Sequence, residues 1–465
     1  MNDLVRMSAR EIAQAIRNKE ISSRDITEAC IQKIEAVNPK LNAVVQPCYE
    51  RALEQAVAAD QTVAHGDALG ALHGVPFTMK DSIETEGLTC VCGTEGRKNF
   101  VPKQDAVLVK RLRDAGAILL GKTNVPEICM AFESDNVVFG KTNNPYNINK
   151  SSGGSSGGEA AIIAACGSPF GLGSDAGGSI RFPSHACGIA GLKPTTARLP
   201  RTGHYIPPGG ALGPLWQIGP MARTAKDLAY LFPLLLGDDP GDPAIVPMPY
   251  LDGRSVEIRK LKIAYYTDNG VVTPTQETQQ TVKSAAECFA QLGAEVIEAR
   301  PACFGREADI WLDLCGVDGG ELLKQVLQQS GTKNFAPIMQ RLLDICQTRK
   351  RDANGFHHLL FEWQQFKQSV YEFMQGYDLI VCPTCATSAL DHGVSYNDDV
   401  FPGFSYTIAY NLSGLPGAVV RGGESKDGLP IGVQLIAKPW REDVALAAAI
   451  ALEEATGGWK APTGV

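Results

Sequence analysis

The chain has 465 residues, 44% of them hydrophobic and 20% charged, with a formal net charge of −8 at pH 7. That is enough apolar material for one large domain or for two to three ordinary ones. The acidic balance is wrong for holding a phosphate backbone, so no nucleic-acid partner is expected.

The first 65 residues read as helical. Ser8 with Glu11, and Ser22 with Asp25, have the spacing of capping boxes that open EIAQAIRNKE and ITEACIQKIEAV. Neither this N-terminus nor any later segment holds an apolar run of about 18 residues, so no signal peptide or membrane span is expected. AVVQ at 43–46, VPFTM at 75–79 and AILLG at 117–121 read as short strands. AVLVKRLRDAG reads as a helix closed by Gly116. Such alternation of helix and strand patterns indicates an α/β layer fold.

Residues 237–254, GDDPGDPAIVPMPYLDGR, read as a surface loop or boundary. Beyond it come LKIAYY and a helix at 276–292. Residues 304–375 are then largely helical, and YDLIVCP, GAVV and GVQLIA lead to a last helix at 442–455. We read one domain over 1–465: N-terminal helices at 1–65, a core at 70–235, a helical insertion at 304–375, and strands and a helix at 376–465. Thirteen cysteines, an odd number scattered from Cys30 to Cys385, fit reduced thiols in a cytoplasm better than a disulfide framework. Cys90-x-Cys92 and Cys382-x-x-Cys385 lack the further ligands that zinc needs, so they read as buried or loop thiols.

The centre carries the chemistry. SSGGSSGGEA at 151–160 has a linker's composition, but it runs into the apolar helix pattern EAAIIAAC and then a second turn, DAGGSIRFP. Successive N–H groups in such turns form a concavity suited to an oxyanion. No lysine follows the glycines, so it is no phosphate loop. A Ser-His hydrolase built on Ser155 would need a buried strand before the turn, and NNPYNINKSS is not one. Its histidine would come from His185, His204, His357, His358 or His392, none in a recognisable setting. Lys80, at the end of HGVPFTMK, is the other candidate base, because burial makes a lysine usable as one. A surface ion pair with Asp81 is the competing reading.

HGVPFTMKDS, GGSSGGEAA and GLGSDAGGSIRFPSHACGIAGLKPT, in that order, resemble the amidase signature family, with further agreement at GKTNVPE and GLPIGVQLIAKPWRED. Glu159 and SPFGLGSDAGGSIRFP look most like its fatty-acid-amide-hydrolase branch. The resemblance implies a large mixed sheet covered by helices on both faces. It implies a Ser–cis-Ser–Lys triad of Ser179 (nucleophile), Ser155 (bridge, after a cis peptide at Gly154) and Lys80 (base). The N–H groups of Ala176, Gly177, Gly178 and Ser179 would bind the oxyanion. Ser156 would support the network or cap the following helix, and Asp175 and Arg181 would brace the turn by a salt bridge. Glu127, Ile128, Cys129, Met130 and Ala131 would line the acyl pocket. No cofactor or metal is implied. The expected function is hydrolysis of a small carboxylic amide, with a homodimer as one assembly. The alternatives are the amide-cleaving component of a glutamine-dependent amidotransferase, which has the same triad, and an inactive binding protein of the same fold.

Overall fold

A computed structural model describes residues 4–206 and 209–465. Both N-terminal capping boxes are formed. Ser8 Oγ accepts from the Glu11 N–H while the Glu11 carboxylate accepts from the Ser8 N–H, and Ser22 and Asp25 repeat the arrangement. These caps satisfy orphan donors at the starts of helices Ala9–Arg17 and Ser23–Leu41.

The frame is one eleven-stranded sheet. Its strands are β1 (Val44–Pro47), β2 (Pro76–Lys80), β3 (Ile118–Thr123), β4 (Phe170–Asp175), β5 (Ala190–Lys193), β6 (Gln217–Ala222), β7 (Lys262–Tyr265), β8 (Glu295–Glu298), β9 (Leu379–Pro383), β10 (Gly417–Glu424) and β11 (Pro430–Ala437). They run in the order β1-β3-β2-β4-β6-β5-β10-β11-β9-β7-β8. β2 is parallel to both β3 and β4, and β7 to both β8 and β9, while the remaining pairs are antiparallel. Strands from both sides of 237–254 therefore join a single sheet.

Alternation along the strands divides the interior into two apolar cores. In β9, Leu379 and Val381 enter one core and Ile380 and Cys382 the other. In β11, Val433 and Leu435 enter the first and Ile436 the second. The first core lies under the N-terminal helices and helices Gly157–Ala164, Ala225–Leu235 and Glu442–Thr456. The second holds the helices of the expected insertion: Glu307–Gly316, Glu321–Gln329, Pro337–Thr348 and Ala353–Gln375. Both sheet faces are thus covered, and the fold is the mixed α/β architecture that the resemblance implied. Helix Gly157–Ala164 is buried along its whole length, which explains its uniformly apolar sequence.

Helix Arg181–Ala186 carried no sequence signal, being short and containing Pro183. Proline is tolerated there because the first turn lacks an N–H partner in any case. All thirteen cysteines are free thiols. Among the described residues no helix is long and apolar enough to cross a membrane.

Candidate active site

Lys80 is the last residue of β2, between two parallel neighbours, and it is fully buried. Its Nζ lies 2.7 Å from Ser155 Oγ, 2.9 Å from Ser156 Oγ and 3.0 Å from Ser174 Oγ, with the Ser174 carbonyl at 3.3 Å. Burial lowers the Lys80 pKa, opposed by Cys129, Cys92 and Asp175. Asp81, the ion-pair partner weighed for Lys80, lies 3.5 Å from the Lys122 ammonium instead, with Asp81 Oδ1 facing Lys122 Nζ.

The Gly154–Ser155 peptide is cis. A Cβ on Gly154 would collide with the Glu133 backbone, so only glycine fits before Ser155. Ser156 stands at the N-cap of helix Gly157–Ala164, yet its side chain makes no capping bond. The Gly157 N–H donates to Ser134 Oγ at 2.9 Å instead. That leaves Ser156 Oγ to the lysine network, where it also donates to the Ser174 carbonyl at 3.3 Å.

The second turn is wound around Asp175. Its carboxylate accepts from the N–H groups of Gly178 at 2.8 Å, Ile180 at 3.1 Å and Arg181 at 3.3 Å. Gly178 has φ +134°, and a Cβ there would collide with the Thr407 side chain. The Arg181 guanidinium is bidentate on Asp175, with two contacts of 3.0 Å, and reaches the Thr407 carbonyl and Gln434 as well. Burial would raise the Asp175 carboxyl, but Arg181 reverses this and holds it well below the usual carboxylate range. The expected brace is therefore present.

Ser179 is 6% exposed, and its carbonyl accepts from the Ser156 N–H at 3.2 Å, joining the two turns. The Ala176 carbonyl accepts from Trp311 Nε1 at 2.9 Å and the Gly177 carbonyl from Thr407 Oγ1 at 2.7 Å. Among the described residues the N–H groups of Ala176, Gly177 and Ser179 have no protein acceptor. Gly178 drops out of the expected oxyanion set, because its N–H is committed to Asp175.

Glu159 is buried beneath the lysine, accepting from Thr78 Oγ1 at 2.5 Å and Thr123 Oγ1 at 2.7 Å. Burial pushes its carboxyl up to about 7, opposed by the two threonines and Lys80.

The stretch 127–131 divides. Ile128 and Met130 line an apolar cavity of about 240 Å³ with Leu212, Trp216, Leu323 and Val326. Glu127 turns away from it, accepting from Thr94 Oγ1 at 2.9 Å and from the Ala336 N–H at 2.7 Å. Cys129 points at Cys92, with 3.6 Å between the sulfurs, and neighbours Lys80 and Ser155. Ala131 packs in the second core. Glu127, Cys129 and Ala131 thus do not line this cavity, contrary to expectation.

Of the histidines, His185 binds the Gly432 N–H at 2.9 Å, and His357 and His358 are not buried. Only His204 reaches the lysine network, through Ser174 Oγ at 2.9 Å. Sequence reasoning missed Ser174, Trp216, Trp311 and Thr407, and weighed His204 only as the histidine of a Ser-His hydrolase. Among the described residues no cluster of three or more His, Cys, Asp or Glu is placed to hold a metal.

A buried lysine on three serine hydroxyls, beside a turn with unclaimed N–H groups, is an arrangement that could carry acyl transfer. Comparison with known proteins places the chain in a family. The Amidase family model matches residues 25–446. A component of the glutamyl-tRNA(Gln) amidotransferase of Moorella thermoacetica is 33% identical over 98% of this chain and 97% of its own. The structure of 6-aminohexanoate cyclic dimer hydrolase superposes with a TM-score of 0.87 at 28% identity, covering 99% of both chains. A fatty acid amide hydrolase gives 0.87 at 25% identity over 98% of this chain and 86% of its own. This chain belongs to the amidase signature family, whose enzymes act on amide C–N bonds.

Proposed function

We propose that the chain hydrolyses a carboxylic amide to an acid and ammonia or an amine, with Lys80, Ser155 and Ser179 as a Ser–cis-Ser–Lys triad. The carrying observation is the fully buried Lys80 Nζ at 2.7 Å from Ser155 Oγ. Burial favours the neutral form of Lys80, and in that form it takes the Ser155 proton as Ser155 takes that of Ser179. Ser179 Oγ attacks the amide carbonyl, and its oxygen becomes an oxyanion held by the N–H groups of Ala176, Gly177 and Ser179. The proton returns through Ser155 to the leaving nitrogen, the C–N bond breaks, and water cleaves the acyl-enzyme.

The acyl side of the substrate is apolar in this reading. The cavity walls of Ile128, Met130, Leu212, Trp216, Leu323 and Val326 offer no charged partner. Burying the ammonium and carboxylate of free glutamine there would cost several kcal/mol. A small amide with a hydrocarbon or aryl acyl group fits this wall, and thirteen free thiols suit a reducing compartment such as the cytoplasm.

The second reading, the amide-cleaving component of a glutamine-dependent amidotransferase, is the one that the curated relatives favour, at 33% identity over nearly the whole chain. One experiment separates the two. The purified chain is assayed against acetanilide, decanoyl anilide, primary amides and glutamine, and its co-purifying proteins are identified. Anilide turnover by the chain alone supports hydrolysis of apolar amides. Glutaminase activity that depends on co-purified partners supports the second reading and removes the first.

A further inference from the structure

His204 lies past the core motifs, where a bridge pairs it with Ile83 just beyond β2. Its Nδ1 faces the Ile206 carbonyl at 3.4 Å. A carbonyl only accepts, so Nδ1 carries the ring hydrogen and Nε2 keeps its lone pair. Burial, the largest cause, pushes the imidazole down to about 3, so the ring is neutral. Nε2 lies 2.9 Å from Ser174 Oγ and 3.0 Å from Ser82 Oγ, and its one lone pair accepts from the nearer hydroxyl, that of Ser174, while Ser82 also neighbours the Cys129 thiol.

This fixes the hydrogens around Lys80. The Ser174 hydroxyl hydrogen is committed to His204, so Ser174 Oγ can only accept from Lys80, at 3.0 Å. The Ser156 hydroxyl hydrogen is committed to the Ser174 carbonyl, so Ser156 Oγ also accepts from Lys80, at 2.9 Å. A neutral amine has two N–H groups and one lone pair. With one N–H directed at Ser156 Oγ and the other at Ser174, whose hydroxyl and carbonyl oxygens both accept, the lone pair is left for Ser155 Oγ at 2.7 Å.

We infer that His204 is a positioning residue: by fixing the Ser174 hydroxyl as an acceptor, it turns the Lys80 lone pair onto Ser155. Without it the Ser174 hydroxyl is free to rotate and donate to Lys80, competing with Ser155 for the same lone pair. The inference rests on Lys80 being the base of the proposed triad. His204 touches no reacting atom, and its effect passes through Ser174.

The test is the second-order rate at which an alkyl fluorophosphonate labels Ser179, measured in the full chain with melting curves alongside. His204→Leu should slow labelling roughly tenfold, about the worth of one net hydrogen bond. His204→Gln, whose amide oxygen restores an acceptor, should recover most of the rate. In a Ser174→Ala background His204→Leu should have no further effect, because the group it acts through is gone. Wild-type labelling in His204→Leu overturns the inference, as does an undiminished effect in the Ser174→Ala background or an absence of rescue by glutamine. If His204→Leu does not fold, Ser174→Ala alone should be slowed roughly tenfold, and an unchanged rate overturns the inference. Lys80→Ala separates the two claims. If it labels at the wild-type rate, the triad reading itself fails; if it is inert while His204→Leu is normal, only the role of His204 fails.

Discussion

The site has two walls built in different ways. The polar wall, with Lys80, Ser155, Ser156, Ser174 and Ser179, comes from the continuous stretch 80–179 and is dense with hydrogen bonds. The apolar wall is assembled from distant pieces: Ile128 and Met130, Leu212 and Trp216, and helix Glu321–Gln329. In the polar wall a displaced atom leaves a buried group unsatisfied, so little variation is tolerated. In the apolar wall, side chains of similar volume can be exchanged at small cost. In the proposed reading the reaction is held in the first wall and the choice of acyl group in the second. Glu127 ties the start of the 127–131 stretch to the helical region, through the Ala336 N–H.

Substitutions in each wall should separate these roles. Ser179→Ala should show the largest effect, with kcat on the best amide of the panel falling about 10⁴-fold or more while the melting temperature holds. Lys80→Ala should cost about 10²–10⁴-fold, the usual worth of a general base. Its pH profile carries a sign. The base form is neutral, so activity rises with pH through the Lys80 pKa, and burial places that acid limb below the ordinary lysine range. The limb should vanish in Lys80→Ala. Val326→Trp fills the cavity and should lower kcat/KM for decanoyl anilide roughly tenfold while sparing acetanilide. Equal losses on both substrates would mean that the cavity does not hold the acyl chain.

Glu127→Gln should have the smallest effect on rate. Losing one of its two bonds should cost about 1–3 kcal/mol of stability. Hydrogen exchange should quicken across 321–348 with kcat for acetanilide unchanged. A fall in kcat instead would mean that the walls are not separable at Glu127.

How far the sequence could be read follows the same division. The placement of Lys80, Ser155 and Ser179 in neighbouring turns was legible because each sits in a contiguous motif, and the same local order carried the Gly154–Ser155 peptide and the Asp175–Arg181 salt bridge. The commitment of the Gly178 N–H to Asp175 was also local, an acid binding an amide three residues on, and Asx-turn geometry signals it. Ser174 reads as one more strand residue, because its partner His204 arrives from 30 positions away. Trp311 and Thr407, which bind the Ala176 and Gly177 carbonyls, lie 135 and 230 positions from them. Packing of the second core sets those contacts, and no periodicity records it. The same limit divides 127–131. Its motif places the stretch at the site, but which side chains face the cavity depends on the local backbone, including positive φ at Ile128 and Cys129.

Both walls have a purpose only if Ser179 attacks and Lys80, through Ser155, activates it. Peptide mapping after fluorophosphonate treatment tests this, comparing the wild-type chain with Lys80→Ala and Ser155→Ala. A single modified serine, Ser179, is expected, with labelling slowed by orders of magnitude in both variants. A label on Ser155, or full-rate labelling of Ser179 without Lys80, would contradict it.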